Sequence, residues 1–419
     1  MNLVAIVPHF VPDVAPTGAV AGRIVEELAA RGHRIEVVTS LPWYREHRIE
    51  PEFEGRFIRR EDAPWGTIVR VHPFPTPDKT NLLKRAAAFA GFSVTTAAIG
   101  ARGGRADAVL AMSPPLTLGL TGYAVAKARS APLVFNVQDV YPDVAIELGV
   151  LRGERVVRGA QRLERLCYDL ADAVTVLSED LRANVAAKTK HPGRVRVIPN
   201  FVDTARITPR ERENDYRSEY GLSDKTVVMY AGNVGFSQSL DLVVEAARAF
   251  AERDDVVFVV NGAGAARPAL EEAAAGLPNL RLVDMQPAER LPDVLAAADI
   301  HVVPLKRGLA RSSVPSKTYS ILAAARPIVA AVDEGSEVAR VVERAGAGAA
   351  VPPDDPRAFV TALARLLDDP AEARAMGERG RRWVERWASP AAVAEAYEQL
   401  FAELKRARET EGARRKTER

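Results

Sequence analysis

The chain has 419 residues, with 57 Lys and Arg against 55 Asp and Glu and a formal net charge of +2. This balance argues against a nucleic-acid coat protein and against acidic partners won by bulk charge, so any basic site must be local. Its one cysteine, Cys167, excludes a disulfide framework and a thiolate zinc cluster, and fits a reducing compartment. Single cores stop growing at roughly 250–300 residues, so two domains are expected.

The apolar run from Asn2 to Val7 fits a strand covered on both faces. Pro8 breaks it, which makes it a first strand and not a signal peptide, and no stretch of about 18 apolar residues suggests a transmembrane helix. The loop HFVPDVAPTGA leads into a helix from Val20 to Arg31, a stop at Gly32 and a strand from Ile35 to Thr39. Such a unit implies a parallel pair with a right-handed crossover. Gly18 stands where loop meets helix, and serves either a tight turn or the approach of another molecule to the helix start. From Leu41 to Asp78 the pattern loosens, with one strand from Thr67 to His72. Residues 79–105 place apolar side chains among Lys84, Arg85, Arg102 and Arg105. This is either a core helix with solvated ends or a segment that lies on an anionic membrane surface.

A strand from Ala108 to Ala111, a helix through Lys127 and a strand from Leu133 to Val137 lead to QDVYPD. Asp139 and Asp143 thus follow a buried strand at its carboxyl end, where a doubly wound sheet puts its chemistry. A carboxylate there can accept a proton or orient a hydroxyl, while Asp143, beside Pro142, also fits a helix cap. Alternating helices and strands to Ile198 complete the first half, and the charge-dense stretch from Thr204 to Lys225 reads as a connection.

In the second half, a strand from Val227 to Ala231 precedes GNVGFSQSLD, so Gly232, Asn233 and Gly235 occupy a phosphate-type loop before a helix. The strand from Val256 to Val260 precedes NGAGAARP, whose Gly262 and Gly264 begin a dinucleotide fingerprint that Arg267 interrupts. A strand from Leu280 to Val283 leads into DMQP, and one from Ile300 to Val303 leads to SSVPSKTYSILAAARPIVAA. There Pro315 ends any earlier helix, Ser316 caps the next one at about Thr318 to Ala325, and Lys317 adds a charge to its first turn. The stretch is either an ordinary capped surface helix or an anion site. After the strand from Ile328, Glu337 begins a helix, as a dipole partner or as a ligand for sugar or ribose hydroxyls. The last helix starts with Ser389 and Pro390 and has one apolar face, Val393, Tyr397, Leu400, Phe401 and Leu404. The charged tail is expected to be disordered.

The succession AMSPPLTLGLTGYAVA, VFNVQDVYPDVAIELGVL, YAGNVGFSQSLD and SVPSKTYSILAAARPIVAAVDEGSEVARVV resembles the family-4 glycosyltransferases of the GT-B fold, and within them the bacterial WbuB-like branch. The resemblance covers nearly the whole chain. It implies an α/β protein of two Rossmann-like domains facing a cleft: 1–203 for the acceptor, a linker 204–225, and 226–387 for the nucleotide sugar. A helix over 388–407 would cross back to the first domain, followed by a disordered tail over 408–419. It further implies a retaining transfer from a nucleotide diphosphate sugar, UDP in the usual case, with no metal and no cofactor. The acceptor would be a lipid-linked or small-molecule hydroxyl, in the cytoplasm or on the inner face of the cell membrane, with no nucleic acid involved.

On this resemblance Asp139 and Lys317 are the catalytic candidates. Gly232, Asn233, Gly235, Gln238, Asn261, Gly262, Met285, Pro315, Ser316, Ser320 and Glu337 form the donor side, and Gly18 and Asp143 the acceptor side. The chain departs from the family pattern at Ser312 and Ser320, where glutamates are common, and at Asn233 and Gln238, where an arginine and a lysine hold the diphosphate. It also has Gln138 where a histidine is common. Lys317 then carries more of the anion binding, and Asp139 faces the reacting sugar. Two rivals remain at this stage, a nucleotide-sugar epimerase and a non-catalytic nucleotide-sugar-binding subunit.

Overall fold

Strands that are apolar on both sides need covering on both sides, and the chain builds two sheets of this kind. The computed structural model describes residues 1–45, 47–75, 82–147, 151, 153–308 and 317–417, without the side chains of 82–86 and 411–417. It divides into two units, Met1–Asn200 with Val393–Arg419, and Phe201–Ala392.

The first unit contains β1 (Asn2–Ile6), β2 (Arg34–Ser40), β3 (Ile58–Ala63), β4 (Gly66–Val71), β5 (Ala108–Ser113), β6 (Leu133–Val137), β7 (Ala173–Val176) and β8 (Val195–Val197). They pair in the order β3-β4-β2-β1-β5-β6-β7-β8, parallel throughout except for β3 against β4. Every residue of β5 and β6 is buried, the polar Ser113 and Asn136 included, as their largely apolar sequences require. The edge strand β3, IRREDA, was not expected, because its charges hide the alternation. Its Glu61 holds the buried Arg70 of β4 at 3.0 Å, and that guanidinium also donates to the Val11 carbonyl at 2.7 Å.

The first helix is Pro16–Ala30, so it starts earlier than Val20. Proline has no N–H to lose in a first turn and its φ suits the helix. Gly18 therefore lies inside that turn and not at a loop junction.

The last helix, Pro390–Thr417, packs Val393, Tyr397, Leu400 and Phe401 into the first unit. Glu398 of this helix meets Arg31 at 3.1 Å and His33 at 3.0 Å, and Lys405 meets Asp107 at 2.7 Å. The expectation of a disordered tail from 408 is corrected: the segment is helical as far as Thr417. Arg, Lys, Glu and Ala are good helix formers, and a helix already nucleated on a packed face extends at little cost. Inside the unit, the Tyr397 hydroxyl accepts from the Asn136 amide at 2.9 Å. Tyr397→Phe should lower stability by about 1 kcal/mol in urea unfolding. An unchanged midpoint would mean that Thr175, 3.1 Å from the same amide, suffices.

The second unit contains β9 (Thr226–Ala231), β10 (Val256–Asn261), β11 (Leu280–Val283), β12 (Ile300–Pro304), β13 (Ile328–Ala331) and β14 (Gly348–Val351). Their order is β11-β10-β9-β12-β13-β14, all parallel. The stretch 204–225, expected as a linker, falls within the second unit. It holds the helix Asp215–Glu219, whose Tyr216 and Arg217 are fully buried. The Arg217 guanidinium is satisfied by the carbonyls of Ala297 and Lys225, both at 2.8 Å, and by Asp299 at 2.5 Å. A buried cation so completely bonded is an anchor of the fold, which charge density alone does not reveal.

Candidate functional site

In the second sheet the chain runs outward from β9 to β10 and β11, then returns to β12 on the other side of β9. At such a reversal the connections leave in opposite directions, so a crevice opens beyond the carboxyl ends of the two strands. Lys317 comes to this point. It opens the helix Lys317–Ala323, and its Nζ donates to the Tyr230 hydroxyl at 2.7 Å and to Gln238 Oε1 at 3.4 Å. The ammonium also lies 4.1 Å from the centre of the Tyr230 ring. Among the described residues it has no carboxylate partner. Burial lowers its pKa to about 8, because taking the charged form out of water is unfavourable without a counter-ion. A half-buried cation held by neutral groups is ready for an anion.

The glycine loop after β9 is shaped by close approach. Gly232 has φ +142°, and a Cβ there would come 3.2 Å from Lys317 Nζ. A Cβ on Gly262 would overlap the Gly232 carbonyl, and one on Gly264 would overlap that of Val234. These glycines bring the loops after β9 and β10 into direct contact. Arg267, in the place of a third fingerprint glycine, donates to the Gly262 carbonyl at 2.6 Å and to the Val283 carbonyl at 3.2 Å, so it ties the loop to β11. Gly262→Ala should destabilise the protein by about 1–3 kcal/mol, the usual cost of overpacking. A melting temperature equal to that of the parent would contradict this packing.

The other donor-side residues divide. Asn233 is exposed, and a Cβ on Gly235 would come 2.8 Å from its amide. Met285 is exposed beyond β11. Asn261 is buried and accepts from the Tyr216 hydroxyl at 2.9 Å, so its side chain supports the end of β10 from within. Glu337 starts the helix Glu337–Ala345 and pairs with Arg340 at 2.9 Å. Ser320 is half-buried one turn after Lys317. Ser312, Pro315 and Ser316 lie outside the described residues, and with them the expected cap. Tyr230, which positions the lysine, escaped the sequence reading. The signal was there: a tyrosine next to last in an otherwise apolar buried strand carries a hydroxyl that needs a partner.

In the first unit the loop after β6 carries Gln138 and Asp139. Gln138 is buried and both ends of its amide are spent, on Asn136 at 2.7 Å and on Asn200 at 2.9 Å. Asp139 reaches the surface, yet the protein packed around it withholds enough water to raise its pKa above the usual carboxylate value. Among the described residues no side chain bonds it. Asp143 opens the short helix Asp143–Glu147 and is held by Lys188 at 2.6 Å and Asn184 at 3.0 Å. The close neighbours of Gly18 are the chain's own His9 and Phe10. That contact seats His9, whose Nδ1 meets the buried Asp13 carboxylate at 2.7 Å. This pair, too, was missed by sequence reading.

Two Rossmann-like α/β halves, each on a largely parallel sheet, make up the GT-B class of architecture. The chain belongs to the family-4 glycosyltransferases: residues 17–200 match the Glycosyl transferase 4-like domain and residues 225–369 match Glycosyl transferases group 1. It is 28% identical over 370 residues to WcaI of Escherichia coli K12, assigned as a colanic acid biosynthesis glycosyl transferase, covering 86% of this chain and 90% of that one. It is 30% identical over 308 residues to WbjE of Pseudomonas aeruginosa, assigned as a glycosyltransferase, covering 71% and 75%. The Anabaena protein HepE, solved in complex with UDP, superposes with a TM-score of 0.64 at 12% identity, over 96% of this chain and 100% of that one. The chain is a glycosyltransferase, with bacterial relatives in polysaccharide biosynthesis. The readings as an epimerase or a non-catalytic subunit are thereby set aside.

Proposed function

We propose that the protein is a retaining, metal-independent transferase that moves a hexose or amino sugar from a nucleotide diphosphate sugar, with UDP as the nucleotide, to a hydroxyl of a lipid-linked saccharide in cell-envelope or exopolysaccharide synthesis. The observation that carries the reading is Lys317: a half-buried cation without a carboxylate partner among the described residues, beside a glycine loop at a strand reversal. UDP in HepE supports the choice of nucleotide by analogy.

In the reaction the bond from C1 of the sugar to the diphosphate oxygen breaks, and its electron pair leaves with the diphosphate. A bond from C1 to the acceptor oxygen forms on the same face. The acceptor proton passes to an oxygen of the departing phosphate, so no strong protein base is required. Lys317 meets the charge that develops, and one preorganised donor of this kind is typically worth about 3–4 kcal/mol. Asp139, on the first unit, orients the acceptor hydroxyl. Gly18 and Asp143 act through the shape of the first unit, and Gln238, Asn233 and Gly235 through the loop around the diphosphate. Among the described residues no helix is long and apolar enough to cross a membrane. A lipid-linked acceptor would then be met at the membrane surface, with the basic segment 79–105 toward anionic lipid.

Mass spectrometry of products from a panel of nucleotide sugars with membrane extract tests the reading. A lipid-extractable product from a UDP-sugar, with the donor's anomeric configuration in its NMR couplings, is expected. Transfer from GDP-sugars alone, or an inverted product, would refute the corresponding part.

A further inference from the structure

The first sheet also reverses, between β1 and β5, and a cavity of about 310 Å³ opens past the carboxyl ends there. This is within the size range of small-molecule sites. Loops after β1, β2, β4 and β5 close it, together with the helix Leu82–Gly100. Its walls include Trp43, Tyr44, Phe74, Phe89 and Phe92, with prolines between them. No Asp, Glu, Lys or Arg is among the described lining residues.

One polar pair stands at this apolar space. His9 lines it, and its Nδ1 is bound to Asp13 at 2.7 Å. The Asp13 carboxylate is fully buried and also accepts from the backbone N–H of Tyr44 at 3.2 Å and of Trp43 at 3.5 Å. The same carboxylate thus fixes the imidazole and the loop after β2. In the neutral imidazole with its Nδ1 proton on the Asp13 side, Nε2 is an acceptor, and among the described residues it has no partner. Ser40, the other small polar residue of the lining, spends its hydroxyl on the Pro8 carbonyl at 2.7 Å. A sugar needs several hydrogen bonds from carboxylates and amides, and these walls offer none. The remaining polar groups, the imidazole of His47, the indole N–H of Trp43 and the hydroxyl of Tyr44, all belong to the loop after β2, so the lining suits an apolar body with a polar end at that side.

We propose that this cavity holds the apolar chain of the acceptor, of the isoprenoid or acyl class, next to its polar head, and that His9, oriented by Asp13, accepts a hydrogen bond from that head. The inference rests on the reading of the protein as a transferase to a lipid-linked acceptor and names which part of the first unit takes the lipid. It also gives a purpose to the segment 79–105: Phe89 and Phe92 on its helix face the cavity.

Calorimetric titration of the full chain with geraniol, octanol, glycerol and, separately, UDP tests this. Geraniol and octanol distinguish the isoprenoid from the straight-chain source; binding of either supports the site, and glycerol should not bind. Ala88, also in the wall, offers a graded series. Ala88→Ser should bind as the parent does, Ala88→Leu more weakly and Ala88→Phe about tenfold or more weakly, with UDP affinity unchanged throughout. His9→Phe should weaken geraniol about tenfold while leaving the affinity for the hydroxyl-free analogue 2,6-dimethyloctane unchanged. Equal geraniol affinity across the Ala88 series, or no binding of either alcohol to the parent, would overturn the proposal. Failure of the donor assignment would instead appear as absent UDP binding with alcohol binding intact.

Discussion

Lys317→Ala is expected to slow sugar transfer about a hundredfold at saturating donor, the usual consequence of removing one preorganised donor to a developing negative charge. The argument begins in the strand. Tyr230 is buried to its ring and sends its hydroxyl out at the carboxyl end of β9, where it donates to the Asn233 carbonyl at 2.5 Å. That leaves the oxygen free to accept from Lys317, so the ammonium is placed by a neutral group and keeps its charge for a ligand. The same arrangement sets a pH dependence. In the free protein Lys317 loses its proton as the pH rises through about 8. A bound diphosphate favours the charged form, so above that pH binding must take up a proton. UDP affinity should therefore be flat below pH 8 as far as this group is concerned, and should fall by up to about tenfold per pH unit above it. In Lys317→Ala that decline should vanish. Unchanged turnover of the variant, or an equally steep decline, would remove the lysine from the site.

Asp139→Asn is expected to slow transfer about a hundredfold, at the low end for a group that handles a reacting hydroxyl, with UDP affinity unchanged. The two halves of the prediction have separate origins. Burial around Asp139 raises its pKa, so the carboxylate gains from any hydroxyl that donates to it. The glycine loop and Lys317 lie on the other unit, so the amide should leave them untouched. Calorimetry showing lost UDP affinity would point to a structural part for Asp139.

Much of the architecture was legible because burial writes itself into strands. β5 and β6 are apolar at nearly every position and buried at every one, and the glycines and prolines between elements mark where each ends. Lys317 could be picked out as a candidate because Pro315 and Ser316 announce a helix start, although an ordinary capped surface helix fits the same residues. What could not be read depends on partners far away in sequence. Arg217 looks like one charge among many until Asp299 and three carbonyls are seen to enclose it. β3 strings Arg59, Arg60, Glu61 and Asp62 together as a solvated loop would, and only Arg70 on the next strand explains Glu61. Gln138, a departure from the family pattern, turns out to be bound at both ends within its own unit, to Asn136 and Asn200. His9 and Asp13 stand at i and i+4, but in a proline-rich loop where no helix gives that spacing a meaning, and the sheet reversal that gives them a cavity exists only once β1 and β5 are neighbours.

A crystal structure with UDP bound reads the assignment of the anion site without intermediate steps. The diphosphate should lie over the loop after β9 with an oxygen at hydrogen-bonding distance, about 2.7–3.2 Å, from Lys317 Nζ. Density for the diphosphate away from the β9–β12 reversal, with Lys317 still bonded only to Tyr230 and Gln238, would contradict the account.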